Sequence, residues 1–228
     1  MVLLKGRPYA DRRQAARQLS QSLLGYEAHH PLILGIPRGG VVVADTIARA
    51  LKTDLDIVLT RKLGAPGNPE LAIGAVAENG RVQLQHEIAE KVGADEEYIE
   101  REIQRQLTEI EARRQRYRRV LPKASLEGRT VILVDDGVAT GATMQASLWA
   151  ARDEAPKEVV IAVPVGAQDA IERLEREADD VICPYVPPYF YAIGQFFADF
   201  GQVEDQEVIE ILQGYSQRTE DGRQKTED

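Results

Sequence analysis

The chain has 228 residues, 43% of them hydrophobic and 29% charged, with a formal net charge of −9, a composition typical of one globular domain with a sizeable core. The acidic balance argues against a broad surface for nucleic acid or for an anionic membrane, and no apolar run approaches the ~20 residues of a membrane span. The single cysteine, Cys183, excludes an internal disulfide, and together with an N-terminal segment unlike a signal peptide it predicts a cytoplasmic protein.

The first half of the chain predicts helices that alternate with short buried strands. Residues 11–24 carry apolar side chains at helical spacing, and the apolar run PLILGIP at 31–37 is typical of a buried strand. A helix is expected in residues 41–51 and a second strand in LDIVLT, residues 55–60. Residues 61–84 then combine turn-rich sequence with two β-like halves around an Asn-Gly pair, the strongest short signal for a hairpin.

The second half continues this alternation. Residues 95–119 predict a long charged helix with one narrow apolar face, and strands are predicted in 130–134, 158–163 and 181–187, separated by helices. Short apolar strands that alternate with helices indicate βαβ units, so we predict a Rossmann-like, doubly wound α/β fold with a mostly parallel sheet. The polar stretch 214–228 lacks periodicity, and we expect it to be a disordered tail.

The stretch VILVDDGVATGAT, residues 131–143, is the most informative in the chain. A buried strand is followed by two adjacent acids and then by a turn of small residues that opens a helix. Ligands bind beyond the carboxyl ends of such strands, where exposed backbone N–H groups, the helix dipole and the hydroxyls of Thr140 and Thr143 favour a phosphate. The stretch lacks the lysine of a Walker A loop, and the sequence GIPRGG does not match the dinucleotide-binding fingerprint.

Two carboxylates beside a phosphate loop are explained if the phosphate belongs to a sugar. Carboxylate oxygens only accept hydrogen bonds, and the 2,3-diol of ribose presents two neighbouring donors. Asp135 and Asp136, together with the loop that follows them, therefore predict a clamp for ribose 5-phosphate. An acidic strand end followed by a threonine-capped helix is the structural alternative.

This motif resembles the signature of the type I phosphoribosyltransferases, and the resemblance extends over roughly residues 32–184. With its PRGG and VDDGxATGAT motifs the chain is similar to uncharacterised bacterial phosphoribosyltransferase-domain proteins. The resemblance implies transfer of a 5-phosphoribosyl group from magnesium-bound phosphoribosyl pyrophosphate (PRPP) to a nitrogenous acceptor such as a nucleobase, with release of pyrophosphate. It also implies one domain over 1–213, with a small hood over 184–213, a β-hairpin flexible loop, and residues 95–119 as a helical insertion.

The resemblance implies three groups of site residues. The 5-phosphate loop supplies small and hydroxyl residues, namely Gly137, Ala139, Thr140, Gly141, Ala142 and Thr143. A loop that often carries a cis peptide bond in the family, here around Arg38, and a basic pair hold the pyrophosphate: Pro37, Arg38, Gly39, Gly40, Arg61 and Lys62. Asp135 and Asp136 hold the ribose diol and Mg²⁺, and with Arg38 and Lys62 they form the catalytic set. A plain strand-to-helix turn at PRGG and a solvated basic pair at 61–62 are the alternatives.

The acceptor is harder to assign. Hypoxanthine-guanine enzymes carry an acid where this chain has Ala139, which disfavours a 6-oxopurine. The stretch 183–202, where the resemblance places the hood, holds all four Phe residues and three of the eight Tyr residues. A flat base would stack on such rings, and the candidates are Tyr189, Phe190, Tyr191 and Phe197. A small core or a dimer interface would explain the same enrichment.

The remaining features concern partners. The basic run RRQRYRR at 113–119 follows an acidic first half of its helix, the order that the helix dipole favours, so we expect a solvated face rather than an RNA site. The histidines and Cys183 have no metal-ligand spacing. We expect PRPP and a small acceptor as ligands, no nucleic acid or membrane partner, and a homodimer, as is common in the family. The alternative function is a non-catalytic sensor that binds PRPP or a nucleotide at the same site.

Overall fold

The computed structural model describes residues 9–224, in which helices alternate with strands. The strands in chain order are β1 (Leu32–Gly35), β2 (Asp54–Ile57), β3 (Thr60–Ala65), β4 (Asn68–Ala77), β5 (Val82–Leu84), β6 (Thr130–Val134), β7 (Glu158–Ala162) and β8 (Asp180–Ile182). The helices are α1 (Arg12–Ser22), α2 (Gly39–Leu51), α3 (His86–Lys91), α4 (Glu96–Tyr117), α5 (Ala142–Arg152), α6 (Gln168–Leu174) and α7 (Asp205–Gln224).

Five strands form a parallel sheet in the order β2-β1-β6-β7-β8. Successive residues of these strands point to opposite faces of the sheet. Ile33 and Ile132 belong to a core that includes residues of α1, α2 and α7, whereas their neighbours Leu34 and Leu133 belong to a core that includes residues of α5 and α6. Helices therefore cover both faces, and the predicted doubly wound α/β fold is confirmed.

A second, antiparallel sheet is formed by β3, β4 and β5. It contains the predicted hairpin, whose turn places Gly80 at a φ of +79°, in the left-handed region that glycine adopts without strain. The predicted strand over 55–60 is wrong at its end. Its first residues pair with β1, but Thr60 pairs with Ala77 and so belongs to the second sheet. The inner half of β4 is buried and the tip of the β3–β4 hairpin is exposed.

The long helix α4 packs its predicted apolar face against the core. The side chain of Asp95 caps the helix by accepting a hydrogen bond from the N–H of Tyr98 at 2.8 Å. Ile110 is buried, and the other three apolar residues of the face are partly buried, namely Ile99, Ile103 and Leu107. The expected solvated face at 113–119 does not extend to its last turn, because Tyr117 is fully buried and Arg118 is 11% exposed.

The predicted disordered tail over 214–228 is contradicted for residues 214–224, which continue α7. The helix is held by apolar residues at helical spacing, since Val208, Ile211, Leu212 and Tyr215 are all buried. The hydroxyl of Tyr215 lies 3.0 Å from the Oδ1 atom of Asp45 on α2. The polar composition of the last stretch hid this continuation of the helix. Residues 225–228 lie outside the described residues.

The segment between β8 and α7 contains one short 3-10 turn, Ile193–Phe196, and otherwise no regular element. Its aromatic residues make a small core with Tyr9, whose hydroxyl donates to the carbonyl oxygen of Pro164 at 2.6 Å. Within residues 9–224, no helix combines the length and the apolar character needed to cross a bilayer.

Candidate active site

The predicted phosphate loop lies between β6 and α5, at the carboxyl end of the central sheet. Gly141 caps α5 with a φ of +77°, a conformation that strains other residues. The N–H of Ala142 donates to the hydroxyl of Thr140 at 3.4 Å, and Arg173 donates to the carbonyl oxygen of Thr140 at 2.8 Å. The side chains of Ala139, Thr140 and Thr143 are exposed at the mouth of the loop. Hydrogen bonds within the protein therefore fix the conformation of the loop, while its exposed side chains remain accessible to a ligand.

The predicted pyrophosphate loop lies beside it, between β1 and α2. The Pro37–Arg38 peptide bond is cis, at the position that the family resemblance implies. Gly39 and Gly40 open α2 with their backbone N–H groups, so the first turn of the helix faces the same edge of the sheet.

The two loops touch through the glycines. A Cβ atom added at Gly39 would lie 2.0 Å from the Oδ2 atom of Asp136. A Cβ atom added at Gly40 would lie 2.6 Å from the carbonyl oxygen of Val134 and 2.9 Å from the Cα atom of Asp135. Residues with a side chain cannot occupy these positions without displacing the acids, so the structure brings the predicted glycines and carboxylates into direct contact.

The two carboxylates have different surroundings. Asp135 accepts a hydrogen bond from the N–H of Asp136 at 2.8 Å, and burial together with the neighbouring Asp136 raises the pKa of Asp135. Asp136 accepts a hydrogen bond from the Nε atom of Arg12 at 2.7 Å. Burial raises the pKa of Asp136, and the guanidinium of Arg12 opposes that rise. One oxygen of Asp136 is thus already committed to the protein.

Arg12 is a site residue that the sequence does not reveal. It lies 124 residues before Asp136 and belongs to an amphipathic helix whose charged residues resemble any solvated face. The guanidinium also donates to the carbonyl oxygen of Gly201 at 2.7 Å and stacks 3.8 Å from the ring centre of Phe200. Arg12 therefore joins α1, the hood and the acid pair.

The three predicted cations lie near these loops with different partners. Arg38 is 30% exposed, and its Nη1 atom lies 3.5 Å from Glu204. Lys62 pairs with Glu70 at 2.9 Å, and the Nε atom of Arg61 donates to the Oε1 atom of Gln106 at 2.9 Å. The alternative of a merely solvated basic pair at 61–62 is therefore incomplete, because the side chains of Arg61 and Lys62 both bind protein partners.

A cleft of about 210 Å³ joins these elements. It is lined by residues from both predicted loops, Pro37 and Thr143, and by Arg61 and Lys62 from β3. One wall comes from α4 and is formed by Glu102, Arg105, Gln106, Ile110 and Arg113. The family resemblance implied only that residues 95–119 are an insertion, and the sequence assigned α4 no role in the site, because residues on a charged helix give no signal of what they face.

The predicted aromatic platform is only partly available. Tyr189 and Tyr191 are 74% and 86% exposed, and Phe190 is half-buried, with its ring centre 5.0 Å from that of Phe196. Phe197 is 1% exposed and packs 5.4 Å from the ring of Tyr9. The prediction that Phe197 stacks on an acceptor is wrong, because its ring is part of the small core of the hood.

The hood reaches the phosphate loop through Ile193. A Cβ atom added at Gly137 would lie 2.7 Å from the Cγ2 atom of Ile193. The short turn that follows the exposed tyrosines therefore contacts the loop directly. This contact places the exposed rings on the segment that borders the loop.

Among the described residues, no group of three or more His, Cys, Asp or Glu side chains could hold a metal ion. The adjacent carboxylates of Asp135 and Asp136 fit Mg²⁺ only as a minority of its octahedral oxygen shell. Mg²⁺ keeps water and takes phosphate oxygens readily, so a phosphorylated ligand would complete that shell. The donor set therefore fits Mg²⁺ that arrives with a phosphate ligand.

Cys183 is not an activated thiol. Its Sγ atom donates to the carbonyl oxygen of Tyr185 at 3.4 Å, and burial raises the pKa of Cys183 to about 11. A thiol with such a pKa stays protonated at neutral pH and is a poor nucleophile.

Comparison with known proteins agrees with this geometry. The sequence profile described as "Phosphoribosyl transferase domain" matches residues 7–199. A Mycobacterium tuberculosis protein named "Putative phosphoribosyl transferase" is 40% identical over 204 residues, which cover 90% of this chain and 46% of that protein. The ribose-phosphate pyrophosphokinase of Sulfolobus acidocaldarius is 33% identical over 155 residues, which cover 67% of this chain and 47% of the relative. The chain thus spans about half the length of the curated relatives it matches.

A solved structure is similar over nearly the whole chain. The crystal structure of TT1426 from Thermus thermophilus superimposes with a TM-score of 0.85 at 49% identity, and the match covers 91% of this chain and 98% of that one. The overall fold of this chain therefore has a counterpart in a crystal structure.

Proposed function

The chain belongs to the phosphoribosyl transferase family, and on that premise we propose that it transfers a 5-phosphoribosyl group from magnesium-bound PRPP to a nitrogenous acceptor, with release of pyrophosphate. The observation that carries the proposal is the contact of Gly39 and Gly40 with the acid pair. This contact brings the loop between β1 and α2 beside the acid pair, which the loop from Gly137 to Thr143 follows, and it supports the proposal because pyrophosphate, diol and 5-phosphate follow one another in this order along PRPP.

Each part of the site has a role in this proposal. The loop from Gly137 to Thr143 binds the 5-phosphate through backbone N–H groups and hydroxyls, aided by the dipole of α5. Asp135 accepts hydrogen bonds from the ribose diol. Asp136, held by Arg12, has one oxygen left for the ligand or for a water on the metal. These contacts fix the ribose and expose its C1 atom to the acceptor.

The cations act on the leaving group. During transfer the bond from C1 to the pyrophosphate oxygen breaks, a bond from C1 to the acceptor nitrogen forms, the electron pair of the broken bond leaves with pyrophosphate, and the proton of the acceptor N–H passes to pyrophosphate or water. Negative charge therefore grows on the pyrophosphate while positive charge grows on the ribose. Arg38, Lys62 and the N–H groups of Gly39 and Gly40 stabilise the first, and the buried carboxylates stabilise the second. Bound Mg²⁺ would supply further positive charge at the phosphate oxygens.

We propose a flat nitrogenous base as the acceptor. The support is the pair of exposed rings, Tyr189 and Tyr191, on the segment that borders the phosphate loop. Stacking on aromatic side chains contributes about 1–3 kcal/mol for each base in nucleic-acid binding proteins, which is enough to select flat acceptors. The methyl side chain of Ala139 cannot form a hydrogen bond with the base. The choice of base therefore does not depend on a carboxylate at this position.

The test is an assay of pyrophosphate release from PRPP with a panel of nucleobases, using wild-type protein, Asp135→Asn and the surface variant Asp169→Asn. The proposal expects turnover with at least one base, loss of turnover in Asp135→Asn, and no change in Asp169→Asn, whose side chain is 79% exposed. Mg-dependent PRPP binding without turnover for any base would instead support a non-catalytic sensor at the same site.

A further inference from the structure

Helix α4 forms a wall of the ligand cleft and supplies a cation that the family resemblance does not assign. Arg113 lines the cleft together with Arg61 on β3, and the same cleft is bordered by Pro37 and Thr143 from the two phosphate loops. Both arginine side chains are half-buried. A guanidinium in this position faces the region where a phosphorylated ligand would lie.

The cations of this cleft are not equally neutralised. Lys62 is paired with Glu70 at 2.9 Å, and Arg105 is bound by both carboxylate oxygens of Glu102 at 2.7 and 2.8 Å. No carboxylate of the described side chains lies within 4.0 Å of the guanidinium of Arg61 or of Arg113. The carboxylates of this cleft, Glu70 and Glu102, are thus paired with Lys62 and Arg105, and the described side chains give Arg61 and Arg113 no carboxylate partner at ion-pair distance.

The orientation of Arg61 is fixed by a neutral partner. Gln106 donates from Nε2 to Glu102 at 2.8 Å, which turns its Oε1 atom towards the Nε atom of Arg61 at 2.9 Å. No described side chain accepts a hydrogen bond from the terminal nitrogens of Arg61, so these nitrogens can bind a ligand. Burial, and then the repulsion from Arg113 and Arg105, lower the pKa of Arg61, although Glu109 and Glu102 oppose this. An anion in the cleft would relieve the repulsion.

We propose that Arg61 and Arg113 together form a binding site for a phosphate group, with α4 as an integral part of the active-site cleft. Arginine suits this task because its planar fork of donors matches phosphate oxygens. That phosphate group has two candidate sources, and the inference rests on the proposed function only if the group belongs to PRPP. The group is either the far phosphate of the pyrophosphate moiety of PRPP or a separate phosphate ion bound beside it.

The test compares wild-type protein with Arg113→Gln, using Arg114→Gln as the control. Arg114 is the next residue of the same helix, but it pairs with Glu111 at 2.6 Å and does not line the cleft. Each protein is titrated calorimetrically with pyrophosphate and with ribose 5-phosphate in the presence of Mg²⁺. We expect Arg113→Gln to weaken pyrophosphate binding by about tenfold, as the loss of a charge-assisted hydrogen bond predicts, and to leave ribose 5-phosphate binding unchanged.

A second titration identifies the source of the phosphate group. Inorganic phosphate is added to wild-type protein saturated with PRPP. No further binding, combined with weaker pyrophosphate binding in Arg113→Gln, assigns the site to the leaving group. A further equivalent of phosphate that Arg113→Gln removes assigns it to a separate ion. Equal pyrophosphate and phosphate affinities in Arg113→Gln and Arg114→Gln would overturn the inference.

The same titrations separate this inference from the proposed function. Wild-type protein that fails to bind PRPP and ribose 5-phosphate would contradict the function, while Arg113-dependent binding of inorganic phosphate alone would still support the phosphate site. Wild-type protein that binds neither pyrophosphate nor inorganic phosphate would overturn the site. Far-ultraviolet circular dichroism and thermal melting of each variant confirm that a lost affinity is not a lost fold.

Discussion

Asp135 and Asp136 are adjacent in sequence, but only Asp136 is held by a cation from a distant helix. The ion pair with Arg12 stabilises the ionised form of a buried carboxylate that would otherwise stay protonated more readily. At the scale of single residues, the acid pair therefore has one member held by a side-chain cation and one member that accepts a hydrogen bond from a backbone N–H group.

Replacement of Arg12 by Gln is expected to change the pH dependence of PRPP binding. Without the guanidinium, the pKa of Asp136 rises further, so protonation competes with ligand and metal binding at a higher pH. The midpoint of the affinity loss on acidification should therefore move upwards. The measurement is PRPP affinity as a function of pH, from acidic to neutral solution, because the contribution of an ionised carboxylate is lost as the pH falls through its pKa. Arg13→Gln is the control, since Arg13 is 49% exposed and lies 3.6 Å from its acidic partners. Identical profiles for the two variants would contradict the role of Arg12.

Replacement of Gly39 by Ala is expected to weaken PRPP binding by about tenfold or more with little loss of stability. The added methyl group meets the side-chain oxygen of Asp136, which can move only by breaking its bond to Arg12. A displaced carboxylate and a displaced loop both reduce complementarity to the ligand. Calorimetric titration measures the affinity, and thermal melting measures the stability. The control is Gly25→Ala, because a Cβ atom at Gly25 meets no atom within 4 Å.

Replacement of Gly40 by Ala is expected to act on stability instead. Its added methyl group meets the backbone oxygen of Val134 in the central sheet, which cannot move without the strand. Overpacking of this kind costs about 1–3 kcal/mol. Urea unfolding measures the loss, and a stability equal to that of Gly25→Ala would show that the two loops are not in contact.

At this scale the sequence predicted that the glycines of PRGG and the acid pair belong to one candidate site, and the structure brings these residues into contact. Asp135, Thr140 and the glycines of PRGG lie in two short motifs whose residue types fit phosphate and diol binding. Arg12 could not be predicted, because its contact with Asp136 depends on how α1 packs. Phe197 was assigned wrongly for a related reason, since composition shows that rings cluster but not which of them face inwards.

At the scale of elements, α4 connects the two sheets. The residue that follows α4, Arg118, donates to Asp56 of β2 at 2.5 Å and to Glu78, after β4, at 2.7 and 2.9 Å. Asp56 is 1% exposed, and the side chain of Glu78 is 8% exposed. The network fixes the end of α4 against both sheets, and through α4 it fixes the wall of the cleft.

Replacement of Arg118 by Ala is expected to destabilise the fold by about 3–5 kcal/mol, because it leaves two buried carboxylates without a counter-charge. The free energy of unfolding in urea measures this loss, and Arg119→Ala is the control, since the neighbouring side chain is exposed. Equal stability of the two variants would show that the buried network contributes little.

The sequence predicted the order of elements well and their boundaries less well. Alternation of apolar strands and helices follows from burial on both faces of a parallel sheet, and it was visible directly. The sequence did not show that residues 55–60 are divided between two sheets. The sheet to which Thr60 belongs depends on its pairing partner, Ala77 of β4, and pairing cannot be read from local sequence. The continuation of α7 beyond residue 213 was missed because the buried apolar residues of this helix end near Tyr215, and the sequence that follows is polar.

At the scale of the whole molecule, the site lies where the central sheet, the second sheet and the hood meet. The central sheet supplies both phosphate loops, the second sheet supplies Arg61 and Lys62, and the hood supplies the exposed tyrosines. Ligand binding should therefore draw these three parts together. The curated relatives are about twice as long as the matched region, so this unit also occurs within longer proteins.

The expected homodimer remains a prediction. Sedimentation equilibrium should show a species of twice the chain mass of 25.3 kDa at micromolar concentration. A single species with the mass of one chain at tens of micromolar would contradict it.

Calorimetric titration of the protein with PRPP, with and without Mg²⁺, shows whether the two loops bind PRPP together with the metal ion. We expect saturable binding that requires Mg²⁺, that is lost when Asp135 and Asp136 are both replaced by Asn, and that is kept in Asp169→Asn. An absence of binding at millimolar PRPP, or an affinity unchanged by loss of both acids, would contradict this expectation.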